Sequence, residues 1–259
     1  MTYCVAMLLD TGLVFLSDSR TSAGVDQINT FRKTSVFQSP GERVLVLQGA
    51  GNLAITQAVG SVLREQIDSR DGRDTLMTCV NMFEAARLVG DALREVHRRD
   101  ARSLKEFAVE FNASLILGGQ IRGEPPRLFS IYAAGNFIEA TPETTYFQVG
   151  ESKYGKPIID RVIRRSSSLK EATKCALVSM DSTIRSNLSV GLPLDLVIVR
   201  RDQLTVARHM SIDEDNEYFR GIRTRWSDAL REAFTELPDP EWLGDRPLVS
   251  VPRSSDVKV

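Results

Sequence analysis

The chain has 259 residues, 42% of them apolar and 26% charged, with a formal net charge of −1. That is the composition of a water-soluble globular protein large enough for one layered unit. The near-neutral balance provides no basic field for nucleic acid, and no apolar run approaches the roughly 18–20 residues of a membrane span.

Taken in chain order, residues 3–9 and 13–17 are short apolar runs joined by Asp10-Thr11-Gly12, a hairpin signal. Strands are predicted at Thr34–Phe37 and Arg43–Gln48, with Ser39-Pro40-Gly41 as the turn between them. The second run ends in Gly49-Ala50-Gly51, and Asn52 is placed to cap a helix reaching about Ile67. A long helix is predicted near Thr75–Arg99, with Met77, Val80, Met82, Ala85, Leu88, Ala92 and Val96 at helical spacing. Strands follow at Phe107–Leu117 and Arg127–Ala133, with Gly118–Pro126 as a turn-rich connection, then at Phe137–Ala140 and Thr145–Val149. Helices near Lys153–Arg165 and Ser168–Leu188 precede a strand at Leu194–Arg201. After Ser211, Asp213-Glu214-Asp215 is expected to cap an amphipathic stretch carrying Tyr218, Phe219, Ile222, Trp226, Leu230 and Phe234, and residues 252–259 read as a frayed tail. Helices thus come in pairs between groups of strands, unlike the alternation of a doubly wound parallel sheet. Two antiparallel sheets face to face, with a helix pair outside each, would accommodate the order.

Cysteine and histidine usage narrows the chemistry. Cys4, Cys79 and Cys175 are odd in number, widely spaced and in apolar surroundings, so they read as reduced core thiols. Residues 1–20 lack the basic start and cleavage site of a signal peptide, and the expected location is the cytoplasm. His97 and His209 have no partners at zinc-ligand spacing, so neither a metal nor a histidine-based triad is expected.

Thr2 stands out, because a polar residue opens an apolar strand directly after the initiator methionine. Removal of Met1 would leave a β-hydroxyl and a free α-amine on adjacent carbons. An α-amine with an ordinary pKa of about 7.7–8.0 is poised near neutrality as a built-in general base. No long propeptide is read, and methionine removal alone is expected to expose the residue. Downstream, Asp18-Ser19-Arg20 ends the second strand, Lys33 opens the next, and Gly49-Ala50-Gly51 ends a strand where free backbone N–H groups can bind an oxyanion.

In this order and spacing the sequence resembles the proteasome-like N-terminal nucleophile hydrolases. The matching features are Thr2, Asp18-Ser19-Arg20, Lys33, Ala50-Gly51-Asn52 with Thr56-Gln57, and Val149-Gly150-Glu151-Ser152 before a helix. Within the family it is most similar to the bacterial ancestral β-subunit group, Anbu, through Gly150-Glu151-Ser152-Lys153-Tyr154-Gly155-Lys156-Pro157 and the Asp213–Trp226 extension.

The resemblance implies an α+β fold, a four-layer αββα sandwich over residues 1–210, with a helical extension and tail over 211–259 that is not an independent domain. It implies amide-bond hydrolysis of peptides or unfolded proteins by Thr2 in a homo-oligomeric ring or helical turn. Asp18 would hold Lys33, the Gly51 N–H would stabilise the oxyanion, and Ser189 would keep the serine role of the family's Asp-x-x-Ser-Gly segment. Thr21, Ser22 and Gly49 would bind substrate main chain. No cofactor is implied, neither nucleic acid nor membrane is an expected partner, and no ATPase partner can be read. Two departures from the family pattern bear on rate. Glu151 stands where a serine is usual, and a carboxylate there would raise the pKa of the α-ammonium. Either Ser186 or Asn187 occupies the place of the usual aspartate before Ser189. A catalytically weak shell of the same fold and an amidase for small amides are the competing readings.

Overall fold

The computed structural model describes residues 2–22, 28–69 and 72–243. The chain opens with the hairpin Tyr3–Leu9 (β1) and Gly12–Asp18 (β2), in which every residue is buried. The three-residue strands Arg20–Ser22 (β3) and Ile28–Thr30 (β4) pair with each other. A second hairpin, Thr34–Ser39 (β5) and Arg43–Gly51 (β6), runs into the helix Leu53–Asp68 (α1), where the Asn52 side chain accepts the Ala54 N–H as N-cap. The helix Met82–Glu106 (α2) follows, and then the strands Ala113–Ile121 (β7), Arg127–Ile131 (β8), Phe137–Glu139 (β9) and Tyr146–Gly150 (β10). Helices Lys156–Val162 (α3) and Leu169–Ser186 (α4) lead to the strands Leu194–Arg200 (β11) and Val206–Ile212 (β12). The helix Glu217–Thr235 (α5) and a 3-10 turn at Glu241–Leu243 close the described chain.

Two five-stranded antiparallel sheets result, ordered β10-β1-β2-β11-β12 and β5-β6-β7-β8-β9. β1 shows why both faces of the first sheet are dry. Tyr3, Val5, Met7 and Leu9 pack with Ala172, Cys175 and Met180 of α4 on one side. Cys4, Ala6 and Leu8 point the other way, into a layer shared with Val44, Val46 and Ile116 of the second sheet. The second sheet in turn packs Leu45, Leu47 and Leu117 against Ile55, Val59 and Leu63 of α1 and Ala85, Val89 and Leu93 of α2. The architecture is therefore the expected four-layer αββα sandwich, with α1 and α2 outside one sheet and α3, α4 and α5 outside the other. No helix of the described residues is long and apolar enough to cross a membrane.

Several boundaries differ from the sequence reading, each for a local reason. The segment 75–81 is not helical. There the Thr78 hydroxyl accepts the Thr75 N–H, and the Arg43 guanidinium donates to the carbonyls of Leu76 and Cys79. α2 starts only after Asn81, whose side chain caps the Glu84 N–H, and it continues through residues 100–106. The next strand accordingly begins at Ala113 rather than Phe107, and Gly118 and Gly119 lie inside it, not in a turn. A Cβ on Gly118 would stand 2.8 Å from the Phe15 ring of the facing sheet, and one on Gly119 would stand 2.1 Å from the Val44 carbonyl oxygen. α5 is capped by Asn216, which accepts the Phe219 N–H, and not by the acidic triplet before it. β3, β4 and β12 were not anticipated. The last spans residue 211, so the helical extension begins after Ile212, and residues 244–259 of the expected tail lie outside the described chain. The three cysteines are free and buried, as expected.

Candidate active site at the start of the first strand

Thr2 immediately precedes β1, and the neighbouring strand ends of both sheets converge on it. Its carbonyl accepts the Glu151 N–H at 2.7 Å just after β10. Gly150, with φ of +83°, allows this approach, since a Cβ there would stand 1.9 Å from the Thr2 carbonyl oxygen. At the end of β2, Asp18 is fully buried, and its Oδ1 accepts both the Tyr3 N–H at 2.9 Å and the Lys33 ammonium at 2.8 Å. The Lys33 Nζ also donates to the Arg20 carbonyl at 2.7 Å, and its own carbonyl accepts the Gly49 N–H at 3.0 Å. Lys33 is thereby fixed between the two sheets, with its side chain only 4% exposed. Burial pushes the Asp18 carboxyl above the ordinary aspartate range; Lys33 and the N–H groups of Tyr3 and Gly191 pull against that shift.

Gly51 ends β6 with φ of +110°, a conformation that favours glycine. It pairs with Ala113 at the start of β7, and a Cβ would stand 2.4 Å from the carbonyl oxygen of Asn112, the residue before that strand. Thr2, Thr21, Lys33, Gly49 and Gly51 all line one cavity of about 270 Å³, with Asp18 directly behind Lys33. The Thr21 hydroxyl is buried and has no hydrogen-bond partner. Ser22 closes β3, and its side chain lies outside the described residues, as does Met1.

Ser189 is not part of this cavity. It sits in the α4–β11 connection, where its N–H donates to Asn187 Oδ1 at 3.0 Å. Asn187 Nδ2 in turn donates to Glu151 Oε2 at 2.9 Å, so Ser189 is linked to the Thr2 backbone through Asn187 and Glu151. Of the two candidates before Ser189, the structure places Asn187 in this network and leaves Ser186 exposed at the end of α4. The Glu151 carboxylate is 4% exposed, with Lys153 at 3.6 Å. The Tyr3 N–H and the Arg20 carbonyl, which grip Asp18 and Lys33, were not legible as site groups, since backbone groups carry no residue-type signal.

An αββα sandwich that gathers its first threonine, a buried Asp–Lys pair and a glycine strand end in one cavity is a proteasome β-subunit-type fold of the N-terminal nucleophile class. No family model matches the chain. Among curated proteins it is 24% identical over 217 residues to a proteasome subunit beta of Haloquadratum walsbyi, covering 82% of this chain and 79% of that one. Among solved structures it is 54% identical to Anbu (ancestral β-subunit) from Yersinia bercovieri, with a TM-score of 0.86, covering 93% of this chain and 99% of the other. It is 51% identical, with a TM-score of 0.87, to a structure described as the helical assembly of the Anbu complex from Pseudomonas aeruginosa, covering 92% and 98% of the two chains. Anbu from Hyphomicrobium sp. strain MC1 is 54% identical, with a TM-score of 0.85 over 93% of this chain and all of its own. The chain belongs to the Anbu family.

Proposed function

We propose that the protein is a threonine peptidase that cleaves peptide bonds through Thr2 once Met1 is removed, in a self-assembled cytoplasmic oligomer. The observation that carries this reading is the shared cavity of Thr2, Lys33 and Gly51, with Lys33 held by the buried Asp18. Thr2 Oγ1 attacks the substrate carbonyl while the freed α-amine, through a water, accepts the hydroxyl proton. The methyl on the Thr2 Cβ restricts χ1 and helps hold the hydroxyl in line. The Lys33 ammonium favours the unprotonated amine and the ionised hydroxyl, and Asp18 fixes Lys33 by a charge-assisted hydrogen bond. The Gly51 N–H receives the developing oxyanion, an effect worth about 2.7–4 kcal/mol per donor. Collapse expels the amine and leaves an ester on Thr2, which water then hydrolyses.

Thr21 and Gly49 flank the cavity, and the unpartnered Thr21 hydroxyl is available to an extended substrate lying along β3. Ser189 acts at a distance, through Asn187 and Glu151, on the backbone that carries Thr2. Assembly into a ring or helical turn is supported by the helical assembly of the Pseudomonas aeruginosa relative and by exposed Tyr218, Phe234 and Trp242 near the C-terminal end. The test compares chains with and without Met1 on fluorogenic peptides. Turnover is expected only from the Met1-free chain and should vanish in Thr2→Ala. Turnover by the chain that retains Met1 would overturn the assignment, because its Thr2 nitrogen is an amide.

A further inference from the structure

A second cavity, of about 320 Å³, adjoins the one at Thr2, and Lys33, Gly49, Leu53 and Thr56 line both. Gly49 keeps the passage open. A Cβ there would already stand 3.1 Å from Leu115 Cδ2 and 3.2 Å from Thr56 Cγ2, so a longer side chain would fill the opening. Arg64 projects from α1 into this cavity and donates from Nη2 to Ser35 Oγ of β5 at 3.1 Å, and Arg32, just before β5, lines it as well. Neither guanidinium pairs with a carboxylate among the described residues, and no Asp or Glu lines either cavity. The Arg20 Nε at the Thr2 end is also buried without a hydrogen-bond partner. The Asp18 carboxylate behind the cavity is turned toward Lys33.

A row of guanidiniums without counter-charges, leading away from a nucleophile, selects for an anion. Arginine forks match a carboxylate bidentately, and the Ser35 bond holds Arg64 in place. We propose that this cavity receives an acidic side chain, glutamate or aspartate, on the residue whose carbonyl Thr2 attacks, with Arg64 as its anchor and Arg32 as a second cation. The acyl-side residue is the one concerned because its side chain leaves the substrate next to the attacked carbon, and this cavity is the immediate neighbour of the one that holds Thr2. The inference rests on Thr2 as nucleophile, and it adds the substrate class.

Two readouts separate this inference from that reading. Turnover is measured on Met1-free chain with fluorogenic tetrapeptides ending in Glu, Leu or Lys. Binding of acetylated tetrapeptides ending in the same residues is measured calorimetrically on the full-length Thr2→Ala chain, which needs no chemistry. Glu is expected to exceed Leu by about tenfold in kcat/KM and in affinity, the modest factor reflecting partly solvated arginines. The Glu-to-Leu ratio should fall toward one in Arg64→Leu, be partly kept in Arg64→Lys, and give way to a Lys preference in Arg64→Glu, with each variant checked for folding by circular dichroism. If no peptide is turned over but the Glu peptide still binds tightest, the peptidase reading fails and the acidic pocket stands. Leu or Lys peptides cleaved and bound as well as Glu would overturn the pocket and leave the peptidase reading intact. A Glu preference unchanged in Arg64→Glu would overturn Arg64 as its anchor.

Discussion

At the scale of single residues, the Asp18–Lys33 pair shows how site chemistry and stability are joined. Both side chains are almost wholly buried, at 0% and 4% exposure, so neither can rely on water to solvate its charge. Because burial raises the Asp18 carboxyl in the folded chain, the folded state binds that proton at a higher pH than the unfolded state does. A group shifted in this sense favours folding while protonated, and that contribution is lost as pH rises through the folded value. Lys33→Met removes the opposing charge and enlarges the penalty. At neutral pH it is expected to cost about 3–5 kcal/mol, and the loss should shrink as pH falls toward and below the ordinary aspartate range, where both states come to carry the proton. Urea unfolding at neutral and mildly acidic pH checks this, and an equal loss at both would contradict the charge-burial account. Thr2, Asp18, Lys33 and Gly51 were singled out in the sequence as element ends: Thr2 as a polar residue opening an apolar strand, Asp18 at the end of the second strand, Lys33 at the opening of the next, and Gly51 at a glycine-rich strand end. Asn187 was readable only as one of two candidates, with Ser186, and Arg64 was not readable as a site residue. Their roles depend on which way the end of α4 and the exposed side of α1 face, and spacing alone does not determine that.

At the scale of elements, the apolar hairpins and α1 were readable because their periodicity and caps agree: Asp10-Thr11-Gly12 turns β1 into β2, and Asn52 starts α1. β7 was misread because glycines normally interrupt strands. Here Gly118 and Gly119 are the places where the facing sheet and the neighbouring strand press too close for a side chain. β12 escaped notice because it is an edge strand carrying Arg208 and His209, whose ring pairs with Asp195 at 2.7 Å, so its apolar pattern is broken. α5 shows a division of labour. Phe219 is 1% exposed and packs in the core beneath the first sheet's helices, while Phe234 is 76% exposed. Asp181 of α4 accepts from Arg223 of α5 at 2.8 Å and from Arg185 at 3.1 Å, tying the helix down near its start. Phe219→Ala is expected to lower subunit stability by about 3–5 kcal/mol. Phe234→Ser should change it by no more than about 0.5 kcal/mol while reducing the assembled mass seen by light scattering. An unaltered assembly in Phe234→Ser would mean that the outer face of α5 is not a subunit contact.

At the scale of the whole molecule, the sandwich explains how strand ends from both sheets meet around one short N-terminus. The start of β1, the end of β2, the entry to β5 and the end of β6 belong to two different sheets, and only their face-to-face packing brings Thr2, Asp18, Lys33 and Gly51 together. The layer order was recoverable from helices arriving in pairs between strand groups. The register that aims Lys33 at Asp18 was not, because it is set by contacts between sheets. The central claim is that Thr2 supplies both nucleophile and base. It is tested most directly by intact-mass and peptide mapping of the Met1-free chain after reaction with a peptide epoxyketone, which needs a hydroxyl and a free α-amine on the same residue to close its ring. The account predicts one adduct per chain, mapped to Thr2 and absent from Thr2→Ala. An adduct that persists in Thr2→Ala, or no adduct on chains shown to begin at Thr2, would contradict it.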